Sequence, residues 1–254
     1  MLKTITDFSE LQALLRKHKG EVRTHTNFYM MPDECKRLIT DGRLMYADFP
    51  QALLLFERRD GYSKLYLRSA GDAAALELPS EPLVSFVTYR DEPDAGVAGR
   101  LTAMGFRKEL TQLRLSAPSV SASTRADAAV TSATEDEAVT LFSQCFTELR
   151  GDLPCRGSFQ SLAAVRGDDG VPLGIIHYDD AKTVLLIAVR AEARRRGIAE
   201  TLLAHYAAVT THMRGDCKLW VLEDNANALR LYEKIGFVAD GLKSDMYVYN
   251  QGKD

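Results

Sequence analysis

The sequence predicts a mixed α/β chain of the α+β kind, built as two similar halves, on three observations. Short apolar strand candidates alternate with amphipathic helical stretches on both sides of a Ser/Ala-rich segment. The order of elements is alike on the two sides, and a Gly-Phe pair closes a helical stretch in each: GRLTAMGFRKELTQLRL can be laid over LRLYEKIGFVADGLKSDMYVY with Gly105–Phe106 on Gly236–Phe237. Agreement in element order around the pair points to a tandem duplication.

Taken in order, the N-terminal side offers a helix in MMPDECKRLITDG, then strands in LMYADF, ALLLFERRDG, SKLYLRSA and LVSFVTYR, a helix ending at MGF, and a last strand in LTQLRLS. Residues 116–129, SAPSVSASTRADAA, are short of large apolar side chains and predict a linker. The expected division is 1–117, a linker at 118–126, and a second domain at 127–254. Beyond the linker, EDEAVTLFSQCFTELR predicts a helix, and SLAAVRG, PLGIIHYDD and KTVLLIAV predict strands, the last two joined by a tight polar turn. The run KTVLLIAV is apolar throughout, as in a strand buried on both faces. In GIAETLLAHYAAV, Ile198, Leu202, Leu203 and Tyr206 share one helical stripe.

With 254 residues and 46% apolar content the chain has ample material for folded cores. Its 32 basic and 35 acidic residues leave a formal charge of −3, so no whole-protein field favours nucleic acid or anionic lipid. No apolar run reaches the ~20 residues of a membrane helix. Cys35, Cys145, Cys155 and Cys217 match no zinc spacing, and no metal is expected. A cytoplasmic protein with reduced thiols is the expectation.

One local feature stands against this balanced background. Arg194, Arg195 and Arg196 precede Gly197 at the start of a helix, the end whose dipole and unpaired N–H groups repel cations. Small residues at Gly197 and Ala199 let a ligand approach the backbone, and the N–H groups of residues 195–200 can form a nest for phosphate. Arginine then adds charge-assisted contacts to the phosphate oxygens. The plain alternative is an exposed basic loop. Three cations without interleaved aromatics make too small a footprint for nucleic acid, and GKS or GKT is missing, so a P-loop kinase is set aside.

These residues resemble the GNAT superfamily of acyl-CoA-dependent N-acyltransferases, whose phosphate signature is Gln or Arg, two residues, Gly, one residue, Gly or Ala. Arg194 to Ala199 satisfies it after an apolar strand, and LWVLEDNANALRLYEKIGF places Asn225, Ala228, Leu229, Tyr232, Gly236 and Phe237 in the register of the family's later strand and helix. The resemblance covers roughly residues 127–250 and implies a GNAT fold there, a central, mostly antiparallel mixed sheet flanked by helices; the first half would be a degenerate GNAT-like domain. It further implies that main-chain groups of Ile187 and Val189 bind the pantetheine arm of an acyl-CoA donor. Arg194, Arg195, Arg196, Gly197, Ile198 and Ala199 would hold its phosphates, Asn225 and Ala228 would contact the arm, and Tyr232 would protonate the leaving thiolate. Asn225 also suits a helix N-cap, which is compatible with that contact. Tyr232 has a packing alternative beside Leu229 and Phe237.

Chemistry accounts for the tyrosine, because amine attack on a thioester releases a thiolate that a phenol of pKa about 10 can protonate. The expected activity is transfer of acetyl from acetyl-CoA to a primary amine of a small molecule or peptide. A longer acyl donor is the alternative within enzymes, and a non-catalytic CoA-binding sensor or structural pseudoenzyme is the alternative outside them. The amine must lose a proton, yet KTVLLIAV has no carboxylate; His177, Asp179, Asp180 and Glu148 are the candidate bases, each with a solvated turn or helix end as its simpler role. Cys145 and Cys155 raise a covalent route, but direct transfer requires no nucleophile. In the first half, Leu101 stands at the position of Tyr232 and Asp94 at that of Asn225, and the phosphate signature is missing, so that half is expected to have lost CoA binding and to wall the acceptor pocket or complete the fold; an unrelated α+β recognition domain is the alternative.

Overall fold

The computed structural model describes residues 2–19, 25–59, 61–69, 78–120, 129–146 and 156–250. The first half runs β1 (Lys3–Thr4), α1 (Phe8–Lys17), β2 (His25–Thr26), α2 (Pro32–Thr40), β3 (Leu44–Phe49), β4 (Ala52–Arg59), β5 (Tyr62–Ser69), β6 (Leu83–Tyr89), α3 (Ala95–Ala103) and β7 (Arg107–Ala117). The second runs β8 (Val130–Ser132), α4 (Glu135–Cys145), β9 (Ser161–Arg166), β10 (Pro172–Tyr178), β11 (Thr183–Val189), α5 (Ile198–Val209), β12 (Cys217–Leu222), α6 (Ala226–Lys234) and β13 (Val238–Tyr249). The duplication is visible in the elements themselves. The offset that superposes the two Gly-Phe pairs carries α3 onto α6 residue for residue, and carries Asp94, the N-cap of α3, onto Asn225, the N-cap of α6.

Two compact units are present, one of residues 1–111 with 243–254, the other of residues 112–242. Their division falls inside β7 and β13, whereas the sequence divides into 1–117 and 127–254 at a linker of which 121–126 lie outside the described residues. The reason is a strand exchange. In the first unit the sheet order is β1-β3-β4-β5-β6 followed by the end of β13, with Leu83–Tyr89 of β6 antiparallel to Lys243–Tyr249. In the second, the end of β7 pairs with β12 from Cys217–Ala117 to Leu222–Gln112, and the sheet continues through β11, β10, β9 and β8.

Each exchanged segment is fastened where it lands. Asp245, buried in the first unit, takes an ion pair from Lys108 at 2.8 Å and a hydrogen bond from Thr111 Oγ1 at 2.8 Å. Arg114 Nε meets Asp240 at 2.6 Å in the second.

In the second unit the core on one face of the sheet gathers Ile176, Val184, Ile198, Leu202, Leu203, Tyr206, Leu219, Tyr232 and Phe237. The stripe of α5 is therefore buried as its spacing predicts. The other face packs Ala138, Leu141 and Phe142 of α4 on Ala164, Ile175 and Ala188. A Thr134–Glu137 capping box starts α4.

α5 sits very close to β10. A Cβ on Gly174 would lie 2.7 Å from Ile198 Cγ2 and 3.0 Å from the Ala188 carbonyl oxygen, so the first turn of α5 rests where only glycine leaves room. Gly174→Ala is expected to destabilise the fold by about 1–3 kcal/mol, measured as a lower denaturant midpoint at unchanged slope. An unchanged midpoint would show that α5 yields freely at this contact.

Candidate active site

The central feature of the second unit is a parallel pair that parts early. β11 and β12 pair only at Thr183–Lys218 and Val184–Leu219. On its other edge β11 is held by β10, where Gly174 faces Val189 and Ile176 faces Ile187. Arg190 N–H donates to the Leu173 carbonyl at 2.9 Å, so by the two-residue alternation Ala188 also spends its main chain on β10. Ile187 and Val189 therefore turn their N–H and carbonyl groups to the opposite edge, where β12 has already diverged.

The register of β10 and β11 slips between His177 and Tyr178, which inserts an extra residue at Leu185. Leu185 is 40% exposed. A strand fully buried on both faces is thus not what KTVLLIAV forms. Beyond Val184 the edge of β11 has no pairing with β12, while Ile187 and Val189 pack on one core and Leu186 and Ala188 on the other.

The chain leaves β11 through a single 3-10 turn, Ala191–Ala193, whose Ala193 is fully buried. Arg190 Nε donates to the Pro172 carbonyl at 2.7 Å and anchors this turn to β10. Then the backbone turns left-handed twice, at Arg195 (φ 64°) and at Gly197 (φ 80°), the N-cap of α5. For Arg195 this conformation is strained, and such strain commonly gathers at ligand sites. The first helical bond runs from Thr201 N–H to the Gly197 carbonyl at 3.0 Å, so the N–H groups of Ile198, Ala199 and Glu200 precede the ladder and point out of the helix end. Arg194, Arg195 and Arg196 are all exposed around them.

α6 starts beside this loop. Asn225 Oδ1 accepts Ala228 N–H at 3.1 Å, which makes Asn225 the cap its position predicts. Arg195 Nη2 lies 3.4 Å from Asn227 Oδ1, joining the arginine loop to the first turn of α6. One turn further, Tyr232 is 6% exposed and meets Phe237 edge to face at 6.0 Å between ring centres. Burial raises its phenol above the ordinary value, so the hydroxyl is protonated throughout the neutral range. Ile187, Val189, Ile198, Ala228 and Tyr232 all belong to or pack on one apolar cluster, so strand edge, loop and tyrosine are brought together.

One further group adjoins the edge without any signal in sequence spacing. Cys145, at the end of α4, has its Sγ 3.9 Å from the Val189 carbonyl oxygen, and Arg194 Nε is 3.4 Å from the same atom. Burial raises the Cys145 thiol, with the nearby Arg194 and Arg190 cations opposing.

His177 is no solvated strand end. It is 2% exposed against Phe159, its Nε2 accepts Gln160 N–H at 3.3 Å, and burial lowers its pKa to about 4, so the ring is neutral and turned inward. Asp179 closes the β10–β11 turn by accepting from Ala181 and Thr183 N–H, and Asp180 is exposed. Glu148 and Cys155 lie outside the described residues. Trp220 is half-buried on β12 opposite Arg114. Among the described residues no group of three or more His, Cys, Asp or Glu is placed to hold a metal, and no helix is long and apolar enough to cross a membrane.

Residues 160–239, which include every site residue from Ile187 to Tyr232, match the family model of the acetyltransferase (GNAT) domain. No curated protein matches the chain. Among solved structures, the fold is similar to that of a Drosophila protein (13% identity, covering 99% of this chain and 99% of that one, TM-score 0.58). It is also similar to a GCN5-related N-acetyltransferase from Kribbella flavida (13% identity, 82% and 90% covered, TM-score 0.55). A third is a tandem GNAT protein from the clavulanic acid biosynthesis pathway (15% identity, 83% and 82% covered, TM-score 0.52). The C-terminal region is a GNAT acetyltransferase domain. The chain as a whole shares its fold with GNAT proteins, a tandem one among them.

Proposed function

We propose that the chain is an acyl-CoA-dependent N-acyltransferase that moves acetyl from acetyl-CoA to a primary amine of a small molecule or peptide. The observation that carries this reading is the meeting of three features on one cluster: the open edge of β11, the arginine loop at the start of α5, and Tyr232 on α6.

Each feature has a task in such a reaction. Ile187 and the N–H of Val189 offer main-chain groups to the amides of the pantetheine arm, the role that β12 would fill in an unparted sheet, while the Val189 carbonyl already accepts from Arg194 Nε at 3.4 Å. The free N–H groups of Ile198 to Glu200 and the side chains of Arg194, Arg195 and Arg196 suit the phosphates of the donor, with Gly197 and Ala199 giving access to the backbone. Asn225 and Ala228 face the arm from the start of α6. Tyr232, kept neutral by burial, donates its proton toward the sulfur as the thioester C–S bond breaks. The amine attacks directly, and its proton leaves to solvent or a carboxylate, since an alkylamine is only about 0.1% neutral at pH 7.

The test is a panel of amines and peptide N-termini with acetyl-CoA, read as release of CoA thiol and as the mass of the acetylated product. Amine-dependent thiol release is expected, together with a higher melting temperature in acetyl-CoA alone. A melting shift with no turnover on any acceptor would identify a CoA-binding sensor instead. No shift at saturating acetyl-CoA would overturn the donor assignment.

A further inference from the structure

In the first unit, β5 and β6 are the counterparts of β11 and β12. They are parallel neighbours that pair only at Ser63–Leu83 and Lys64–Val84 and then part. Here, though, the gap is filled by the chain itself. β2 adds to the outer part of β5, with His25 opposite Ser69 and Thr26 opposite Arg68.

Asn27 follows, 7% exposed, and bridges the two strands. Its N–H donates to the Leu67 carbonyl at 3.2 Å and its Oδ1 accepts Leu67 N–H at 2.7 Å. Its Nδ2 donates to the Phe86 carbonyl at 2.8 Å and to Ser85 Oγ at 2.9 Å. Ser85 Oγ in turn donates to the Leu65 carbonyl at 2.7 Å. The turned-out main chain of β5 at Leu65 and Leu67 is thereby engaged from within the unit.

The head of α3 is occupied as well. His25 Nδ1 is 2.8 Å from the carboxylate of Asp94, the residue that overlays Asn225, and a Cβ on Gly96 would stand 2.1 Å from that same ring nitrogen. So the places that Ile187, Val189 and the start of α6 leave open in the second unit are filled in the first by His25, Thr26 and Asn27.

We propose that residues 25–27 are a built-in occupant of the first unit's cleft and close it to an acyl-CoA arm. The carboxamide of Asn27 offers the same donor and acceptor pair as an amide of that arm, and it is supplied without loss of a free ligand's freedom. The chain therefore takes its donor in the second unit alone, a statement that rests on the proposed function; the occupancy of the first cleft does not.

Amide hydrogen exchange with native mass spectrometry tests both parts on the full chain. Without ligand, Leu67 N–H is expected to exchange slowly, and Asn27→Ala to speed it roughly tenfold to hundredfold. With saturating acetyl-CoA, one molecule should bind per chain, with new protection at Ile187 and Val189 and none at Leu65 or Leu67. Unprotected exchange of Leu67 in the unaltered chain, which needs no variant to fold, would overturn the occupant, as would a second bound acetyl-CoA protecting β5. If acetyl-CoA protects neither strand, the donor site falls, while slow exchange at Leu67 still supports the occupied cleft.

Discussion

Tyr232→Phe is expected to lower turnover by roughly a hundredfold to ten-thousandfold while leaving acetyl-CoA affinity within about twofold. The substitution removes one oxygen and keeps the ring, which is what packs against Phe237 and the core of the second unit. No hydrogen bond from the Tyr232 hydroxyl occurs among the described residues, so its loss orphans no partner and the melting temperature should hold. Affinity should hold too, since the strand edge and the arginine loop are untouched. Burial raises the phenol above its usual value, so it keeps its proton up to at least about pH 10 and adds no alkaline fall to the rate below that. Unchanged turnover, measured as CoA thiol release at saturating substrates, would remove Tyr232 as the proton donor. A parallel loss of affinity would recast it as a binding residue.

Arg194→Glu is expected to weaken acetyl-CoA binding by about tenfold to hundredfold, with turnover at saturation changed far less. Arg194 is the arginine on the defining position of the signature, and its Nε reaches the Val189 carbonyl at 3.4 Å, three residues before the N-cap of α5 in sequence. Reversing its charge places a carboxylate where phosphate oxygens would lie, and the penalty should shrink as salt rises. Calorimetric titration at two ionic strengths checks this. Equal affinity in the two proteins would return the three arginines to the status of an exposed basic loop, and a fall confined to turnover would put Arg194 beside the reacting atoms instead.

Much of the second unit was legible because its signals are local. Apolar periodicity marks α5, the signature residues mark the loop, and the Asn225 to Phe237 register marks α6. The duplication was legible from element order and the Gly-Phe register, and Asn225 was legible as a cap, whereas the matching cap at Asp94 is a finding of the structure.

What escaped detection depends on tertiary contacts. The parting of β11 from β12 lies in neither strand's composition, so KTVLLIAV looks like a fully buried strand although Leu185 is open. Cys145 reaches the site from α4, whose own spacing says nothing of it. β2 exists only because β5 offers it an edge. α1 is a different case, since Asp7 accepts Glu10 N–H at 2.9 Å and Thr6 N–H donates back to Glu10, a capping pattern present in the letters of the polar start.

The exchange of β7 and β13 has a consequence in time. A chain made from its N-terminus folds what has emerged, and a tandem protein cut at its linker could complete one unit before the other is synthesised. Here β6 must wait for Lys243–Tyr249, made only after residues 112–242 of the second unit, before its open edge is covered. The second unit, by contrast, meets its borrowed strand already in hand, because Gln112–Ala117 precede it. The half that was made first is thus the last to be finished, and until Lys243–Tyr249 emerge it presents an unpaired β6 edge on which a chaperone or a neighbouring nascent chain can act.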